Sequence, residues 1–290
     1  MTGNSATRPP LAIVIVSLIG AEAVARTLRS IRAIDAECVV VGSTPRSAPR
    51  SGPTGFIHAD VPVPLKRTAG IDATDSDWVA LLEDTCDVGP GWQAAFNEIA
   101  GQTEFDVAGG PVTIAGDLPP PCMALACLEY AAYAAAPGQL TVAADRIAGL
   151  NLLYRRSALP VMDAGTGLIE SEVNARILHK GGKLALHPGL AVTYRAADHA
   201  SARFNSRFSH GRIYGGGQRD RIDRIHRAIA IVKCVALPFV FYARAVRGIP
   251  ADHRFPVRAR LWILWLALAW SLGELCGVVA GRGASLATWR

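Results

Sequence analysis

Residues 1–200 alternate short apolar runs with stretches in which apolar side chains recur at helical spacing. The apolar runs have the length of buried strands and lie at residues 11–18, 38–41, 78–82 and 107–112. Between them, residues 21–34 and 91–99 show the spacing of amphipathic helices. Strands that alternate with helices favour a mainly parallel sheet with helices on both faces. The sequence therefore predicts an α/β fold in which ligands bind beyond the C-terminal ends of the strands.

Two longer apolar runs follow near the C-terminus, at residues 228–246 and 261–280. Each is long enough to cross about 30 Å of hydrocarbon as a helix, so we predict a two-helix membrane hairpin over residues 228–290. Arginines flank the runs on both sides, so the positive-inside rule does not fix the orientation, and a re-entrant hairpin is also compatible. A pair of buried core helices is the alternative interpretation.

The basic residues are concentrated in the C-terminal part of the chain, which has 290 residues and a net charge of +6. Residues 201–290 hold 15 Lys and Arg against 4 Asp and Glu, whereas residues 1–200 carry an acidic excess. Within residues 201–227, Arg-Phe pairs recur at a spacing of four, which predicts a basic amphipathic interfacial segment. This segment either gathers a phosphorylated lipid or only anchors the chain. Because the basic residues surround lipid-length apolar runs, we predict a membrane partner and no nucleic acid.

The cysteines indicate a reducing compartment. The six cysteines form no CxxC pair and lie at no zinc-like spacing from a histidine, so we interpret them as reduced thiols. The apolar run at residues 11–18 is too short for a membrane span and lacks a cleavage site, so no signal peptide is predicted. We expect attachment to the inner (cytoplasmic) membrane, with the large domain on the cytoplasmic side.

Acidic residues follow the buried strand at residues 78–82. Glu83 and Asp84 leave the core at its end, with Thr85 and Asp87 close behind. Carboxylates at such a position favour their neutral form unless a cation lies nearby. A divalent ion, Mg²⁺ or Mn²⁺, that holds a diphosphate would supply the cation. The alternative is a turn in which Asp84 or Asp87 caps the next helix.

A set of motifs in fixed order resembles family 2 glycosyltransferases over residues 11–200. The motifs are Arg67-Thr68-Ala69-Gly70, the acidic motif Glu83-Asp84, Gly89-Pro90-Gly91-Trp92, Ala108-Gly109-Gly110-Pro111, Gly149-Leu150-Asn151 running on to Tyr154-Arg155-Arg156, Glu170-Ser171-Glu172 with Arg176, and Leu184-Ala185-Leu186-His187-Pro188. The resemblance implies a GT-A fold for residues 1–200. It also implies inverting transfer of a sugar from a nucleotide diphosphate sugar to a hydroxyl of a lipid-linked or envelope glycan acceptor.

The resemblance implies a role for particular residues. Arg67, Glu83, Asp84 and Asn151 would bind the nucleotide sugar, and Asp84, with Asp87 in reserve, would hold the divalent metal. Glu170 matches the position of the catalytic base, with Glu172 as the second candidate. Both glutamates could instead be solvated residues in the first turn of a helix. For Arg155 and Arg156, phosphate contact and plain solvation stay open.

The chain also departs from the family pattern. The second strand ends Val41-Gly42-Ser43 without the customary Asp pair, and the acidic motif reads Glu-Asp-Thr instead of Asp-x-Asp. These departures favour a second hypothesis, a non-catalytic membrane-tethered module that keeps the fold and binds a glycan or a partner enzyme.

Overall fold

The computed structural model describes residues 11–43, 54–134, 141–142, 146–197, 203–219, 221–247 and 257–289. The chain divides into two compact units. The first unit holds the described residues of Met1–Asp60, Pro64–Pro111 and Ala136–Val192. The second holds those of Val61–Val63, Val112–Ala135 and Thr193–Arg290.

Strands and helices alternate along the first part of the chain, and helices alone make up the last part. The strands are β1 (Leu11–Val16), β2 (Glu37–Gly42), β3 (Thr54–His58), β4 (Trp78–Glu83), β5 (Cys86–Val88), β6 (Val107–Gly109), β7 (Val112–Ile114), β8 (Thr141–Val142), β9 (Asn151–Arg155), β10 (Leu184–Leu186) and β11 (Val192–Tyr194). The helices are α1 (Ala21–Ile31), α2 (Val63–Asp72), α3 (Trp92–Ala100), α4 (Pro120–Tyr130), α5 (Glu170–His179), α6 (Phe204–Arg219), α7 (Arg224–Arg247) and α8 (Val257–Ala280).

An eight-stranded sheet in the order β3-β2-β1-β4-β9-β6-β10-β8 forms the centre of the first unit. Its pairs β1–β2, β2–β3, β1–β4 and β6–β10 are parallel. Strand β9 runs antiparallel to both of its neighbours, β4 and β6. The predicted α/β class with a mostly parallel sheet is therefore confirmed.

The register of the sheet decides which loops meet. Val16 of β1 lies beside Glu83 of β4, so the segments that follow the two strands leave the sheet at the same edge. Every residue of both strands is buried, because the sheet is covered on both faces. The acidic motif therefore begins where a fully desolvated strand ends.

Two features of the sheet differ from the prediction. The single strand expected over residues 107–112 is two short strands, β6 and β7, separated at Gly110. A Cβ on Gly110 would lie 2.2 Å from the carbonyl oxygen of Leu190, so the backbones approach too closely for a regular ladder to continue. Strands β3, β8 and β9 of this sheet were not predicted.

Helices α6 and α8 of the second unit pack backbone to backbone. A Cβ on Gly211 would lie 2.2 Å from the carbonyl oxygen of Trp270, and one on Gly273 would lie 2.0 Å from that of Phe208. Gly215 and Gly277 repeat this close approach one turn further along their helices. Glycines at a spacing of four allow such contact between helices. The predicted interfacial segment is thus mostly the helix α6, whose glycines are held against α8.

Within the part of the chain that the structure describes, two helices are long and apolar enough to cross a membrane, Arg224–Arg247 and Arg258–Ala280. They correspond to the predicted runs at residues 228–246 and 261–280. In the most apolar window of the first helix only 17% of the residues are buried, and in that of the second 50%. The length and composition of these helices fit the predicted membrane hairpin. The hairpin stays a prediction, as do the predicted domains at residues 1–200, 201–227 and 228–290.

Candidate functional site

Four segments of the first unit meet at the edge of the sheet where β1 and β4 end. Residues 17–20 follow β1, and residues 83–85 close β4. Helix α2 contributes Arg67 and its neighbour Lys66, and α5 contributes Glu170 as its first residue. This is the edge at which open parallel sheets bind their ligands.

Arg67 bridges two glutamates that are far apart in the sequence. Its Nη2 donates to Oε1 of Glu83 at 3.0 Å, and its Nη1 donates to Oε2 of Glu170. The Arg67 side chain is 2% exposed, against 12% for Glu83 and 23% for Glu170. Burial by itself would lower the pKa of Arg67, but the carboxylates of Glu170 and Glu83 outweigh it and raise that pKa above its usual value. One guanidinium therefore faces two carboxylates.

The surroundings of Glu170 position its carboxylate. A Cβ on Gly149 would lie 2.7 Å from Oε1 of Glu170, so the absence of a side chain there gives this oxygen its space. Glu170 also begins α5, where the helix dipole favours a negative charge. On the other side of Arg67, the Thr85 hydroxyl donates to Oε2 of Glu83 at 3.2 Å. Glu170 is thus the most exposed carboxylate of the bridge and is held by its neighbours.

Asp84 is fully buried and binds the loop after β1. Its Oδ1 accepts from the backbone N–H of Leu18 at 2.9 Å, and its Oδ2 accepts from those of Ile19 and Gly20, both at 3.1 Å. The Ser17 hydroxyl donates to Oδ2 at 3.2 Å. Burial raises the pKa of Asp84 above its usual value, although these hydrogen bonds oppose the shift. The carboxylate therefore holds the loop between β1 and α1 in place.

The described residues contain no cluster of several metal-ligating side chains. Both oxygens of Asp84 already accept hydrogen bonds, and Oδ1 of Asp87 accepts from Nε of Arg26 at 2.9 Å. Within the described part of the chain, no three His, Cys, Asp or Glu side chains form a group that could hold a metal ion. The carboxylate of Asp84 holds the loop after β1 and that of Asp87 pairs with Arg26, and their role as metal ligands stays a prediction.

Asn151 and Glu172 lie outside the Arg67 bridge. The amide of Asn151 is buried, and its Nδ2 donates to the carbonyl oxygen of Leu190 at 2.6 Å. Its Oδ1 accepts from Nε1 of Trp92 at 3.5 Å, so the side chain joins β9 to two other segments. Glu172 follows Glu170 by two residues on α5, about 200° around the helix axis, and therefore points to nearly the opposite side.

Sequence reasoning missed Lys66. This residue is 3% exposed, and its Nζ donates to the carbonyl oxygen of Ser17 at 3.3 Å. It places an ammonium group at the same edge of the sheet as Asp84. A Lys-Arg pair inside a short helix with few other charges is the signal that could have indicated it.

Arg155 and Arg156 lie at the opposite edge of the sheet. Arg155 pairs with Trp78 at the start of β4, whereas Glu83 ends that strand. Nη2 of Arg155 donates to the carbonyl oxygen of Gln102 at 2.7 Å, and Nε of Arg156 donates to that of Ser76 at 2.6 Å. Both arginines therefore hold backbone segments, and neither reaches the Arg67 bridge.

Comparison with known proteins identifies the fold. No protein-family model matches the chain, and no curated protein matches it. A crystal structure of GalNAc-T7 with UDP, GalNAc and Mn²⁺ is similar, with a TM-score of 0.50 and 14% identity over 66% of this chain. This chain covers 44% of that protein's length. A mannosyltransferase from Pyrobaculum calidifontis in complex with GDP-Man and Mn²⁺ aligns with 96% of this chain and 76% of its own, at 14% identity and a TM-score of 0.47. The sheet order and the first likeness agree with the predicted GT-A fold, which is confirmed.

Proposed function

We propose that the chain is an inverting glycosyltransferase of the family 2 type. It would move a sugar from a nucleotide diphosphate donor to a hydroxyl of a lipid-linked or envelope glycan acceptor. The observation that carries the proposal is the Arg67 bridge. It holds Glu83 and Glu170 at the ligand-binding edge of a GT-A sheet, as the order of the sequence motifs requires.

The proton transfer falls to Glu170. The acceptor oxygen forms a bond to the anomeric carbon as the bond from that carbon to the diphosphate breaks, and the hydroxyl proton passes to the Glu170 carboxylate. Glu170 suits this role because it is the most exposed acid of the bridge and because Arg67 and Gly149 fix its orientation. A base held in place in this way lowers the entropy cost of the reaction.

Two positive groups of the chain lie near the edge of the sheet where the diphosphate would bind. The ammonium of Lys66 lies beside the loop after β1, and the guanidinium of Arg67 is paired with Glu83 and Glu170. The sequence resemblance predicts a divalent ion, and the neighbouring structures named above contain Mn²⁺. The proposed steps use the chain's own residues and do not pass through a metal.

The proposal places the enzyme at the inner membrane with its sheet on the cytoplasmic side. Two apolar helices of membrane-spanning length and the surrounding arginines support attachment to anionic lipid. A non-catalytic module that keeps the fold is the second candidate. It is favoured by Asp84, whose oxygens are both used in holding residues 17–20.

A donor screen tests the proposal. The detergent-purified full chain is incubated with a panel of nucleotide sugars and a lipid extract, and release of nucleoside diphosphate is measured. We expect one donor to be consumed, and Glu170→Gln to lower turnover by about 10²–10⁴-fold because it removes the general base. Glu172→Gln is the matched control, since it makes the same change two residues away, and we expect it to stay within about threefold of wild type.

Two outcomes would contradict the proposal. Turnover by Glu170→Gln at the wild-type rate would remove the base assignment. No binding of any nucleotide sugar in calorimetry, with or without Mn²⁺, would favour the non-catalytic module.

A further inference from the structure

Three arginines lie where the C-terminal ends of α6 and α8 meet, within the second unit. Arg212 and Arg219 lie on α6, and Arg227 lies on α7. Nε of Arg212 donates to the carbonyl oxygen of Gly281 at 3.1 Å, and Nη2 of Arg227 donates to that of Arg219 at 3.2 Å. Nη1 of Arg219 lies 3.4 Å from the place that a Cβ on Gly281 would occupy. We call these three side chains the arginine cluster.

The turn after α8 is shaped around this cluster. Gly281 and Gly283 have φ angles of 81° and 52°, in the left-handed region that favours glycine. A Cβ on Gly283 would also lie 2.4 Å from Nη2 of Arg212. A side chain at either position would strain the turn, and one at Gly283 would also displace the Arg212 guanidinium.

Carboxylates do not balance the charge of the cluster. Among the residues that the structure describes, Arg212 and Arg227 bond to backbone carbonyls, and none of the three arginines pairs with a carboxylate. The carbonyl end of a helix supplies only about half a negative charge. All three side chains are partly buried, so water screens their charges incompletely. The cluster therefore holds excess positive charge that would attract an anion.

Exposed apolar side chains lie on α7 and α8. On α7, Val232, Val235 and Phe239 are 72%, 74% and 71% exposed, and on α8 Val279 is 54% exposed. Exposed apolar helix sides next to a basic end are typical of segments at the boundary between hydrocarbon and lipid headgroups. An anion that carries acyl chains could pair its charge with the arginines and place its chains against the apolar side chains.

We propose that the arginine cluster binds the phosphate of an anionic membrane lipid. The planar guanidinium donates paired hydrogen bonds to phosphate oxygens, which makes arginine well suited to this group. This inference rests on the membrane attachment proposed above. It does not depend on sugar transfer.

The test uses the full chain in an uncharged detergent. Its melting temperature is measured during titration with dihexanoylphosphatidic acid, dihexanoylphosphatidylcholine or inorganic phosphate. We expect a saturable rise with the phosphatidic acid and a much weaker response to the other two ligands. Arg219→Gln removes a guanidinium that donates no hydrogen bond within the described structure, so it should fold, and we expect it to need about tenfold more phosphatidic acid for the same rise.

Arg247→Gln is the matched control, because it removes the same charge from the exposed opposite end of α7. It should bind phosphatidic acid within about twofold of wild type. If both variants weakened the binding of phosphatidic acid equally, the effect would come from general surface charge, and the arginine cluster would not be a specific site. An equal response to inorganic phosphate or to phosphatidylcholine would overturn the assignment to an anionic lipid. Sugar transfer plays no part in this melting experiment, so a failure of the proposed sugar transfer would be seen separately in the donor screen.

Discussion

Removing the guanidinium of Arg67 takes away the cation that bridges Glu83 and Glu170. Arg67→Gln breaks the bonds to Glu83 and Glu170 together, and both glutamate side chains are largely shielded from water, at 12% and 23% exposure. Breaking a buried ion pair by removing one partner costs about 3–5 kcal/mol. For a chain of this size each kcal/mol lowers the melting temperature by about 2–4 °C, so we expect a fall of about 6–20 °C.

The assay is the thermal melting of the full chain in detergent, followed by near-ultraviolet circular dichroism at pH 7. The double variant Arg67→Gln/Glu83→Gln also removes one of the two carboxylates that Arg67 bridges and should recover part of the lost stability. Arg26→Gln is the control for an arginine near the same site, because its pair with Asp87 is 29% and 22% exposed. We expect that control to cost about 1 kcal/mol.

A single result would refute this reasoning. If Arg67→Gln melted within about 2 °C of wild type, the two glutamates would not depend on the guanidinium, and the bridge would not organise the site.

Two further predictions concern Gly273 and Asp84. Gly273→Ala places a Cβ 2.0 Å from the carbonyl oxygen of Phe208 and should lower the free energy of unfolding by about 1–3 kcal/mol in melting experiments. In the control Gly101→Ala the nearest atom lies 3.5 Å from the new Cβ, so the loss of stability should be smaller. Equal losses in the two variants would contradict the tight pairing of α6 and α8. Burial raises the pKa of Asp84 in the folded state, so protonation of Asp84 favours the folded state. The stability of wild type relative to Asp84→Asn should therefore rise as the pH falls from 7 through that raised pKa. A difference in melting temperature that does not change between pH 7 and pH 4.5 would contradict this sign.

The strands and helices that define the fold could largely be predicted from the sequence. Continuous apolar runs identify β1 and β4, and helical spacing identifies α1 and α3. The antiparallel direction of β9 could not be predicted, because an apolar strand has the same pattern in both directions and only its long-range pairing with β4 decides.

The residues of the site could be named from the sequence, but their contacts could not. The motif order pointed to Arg67, Glu83 and Glu170, which the structure brings together. The same reasoning expected a metal on Asp84, whereas its carboxylate holds the loop after β1. An aspartate after a buried strand has the same spacing in either role, and only the direction of its oxygens distinguishes them.

Strand β9 affects how the chain can fold during synthesis. Leu82 on β4 pairs with Asn151, so one edge of β4 stays open until a long intervening stretch of chain has left the ribosome. Pairing over such a separation forms slowly, and an open strand edge can pair with another chain in the meantime. We expect nascent chains that end before β9 to aggregate, and those that extend beyond Arg155 to become resistant to protease.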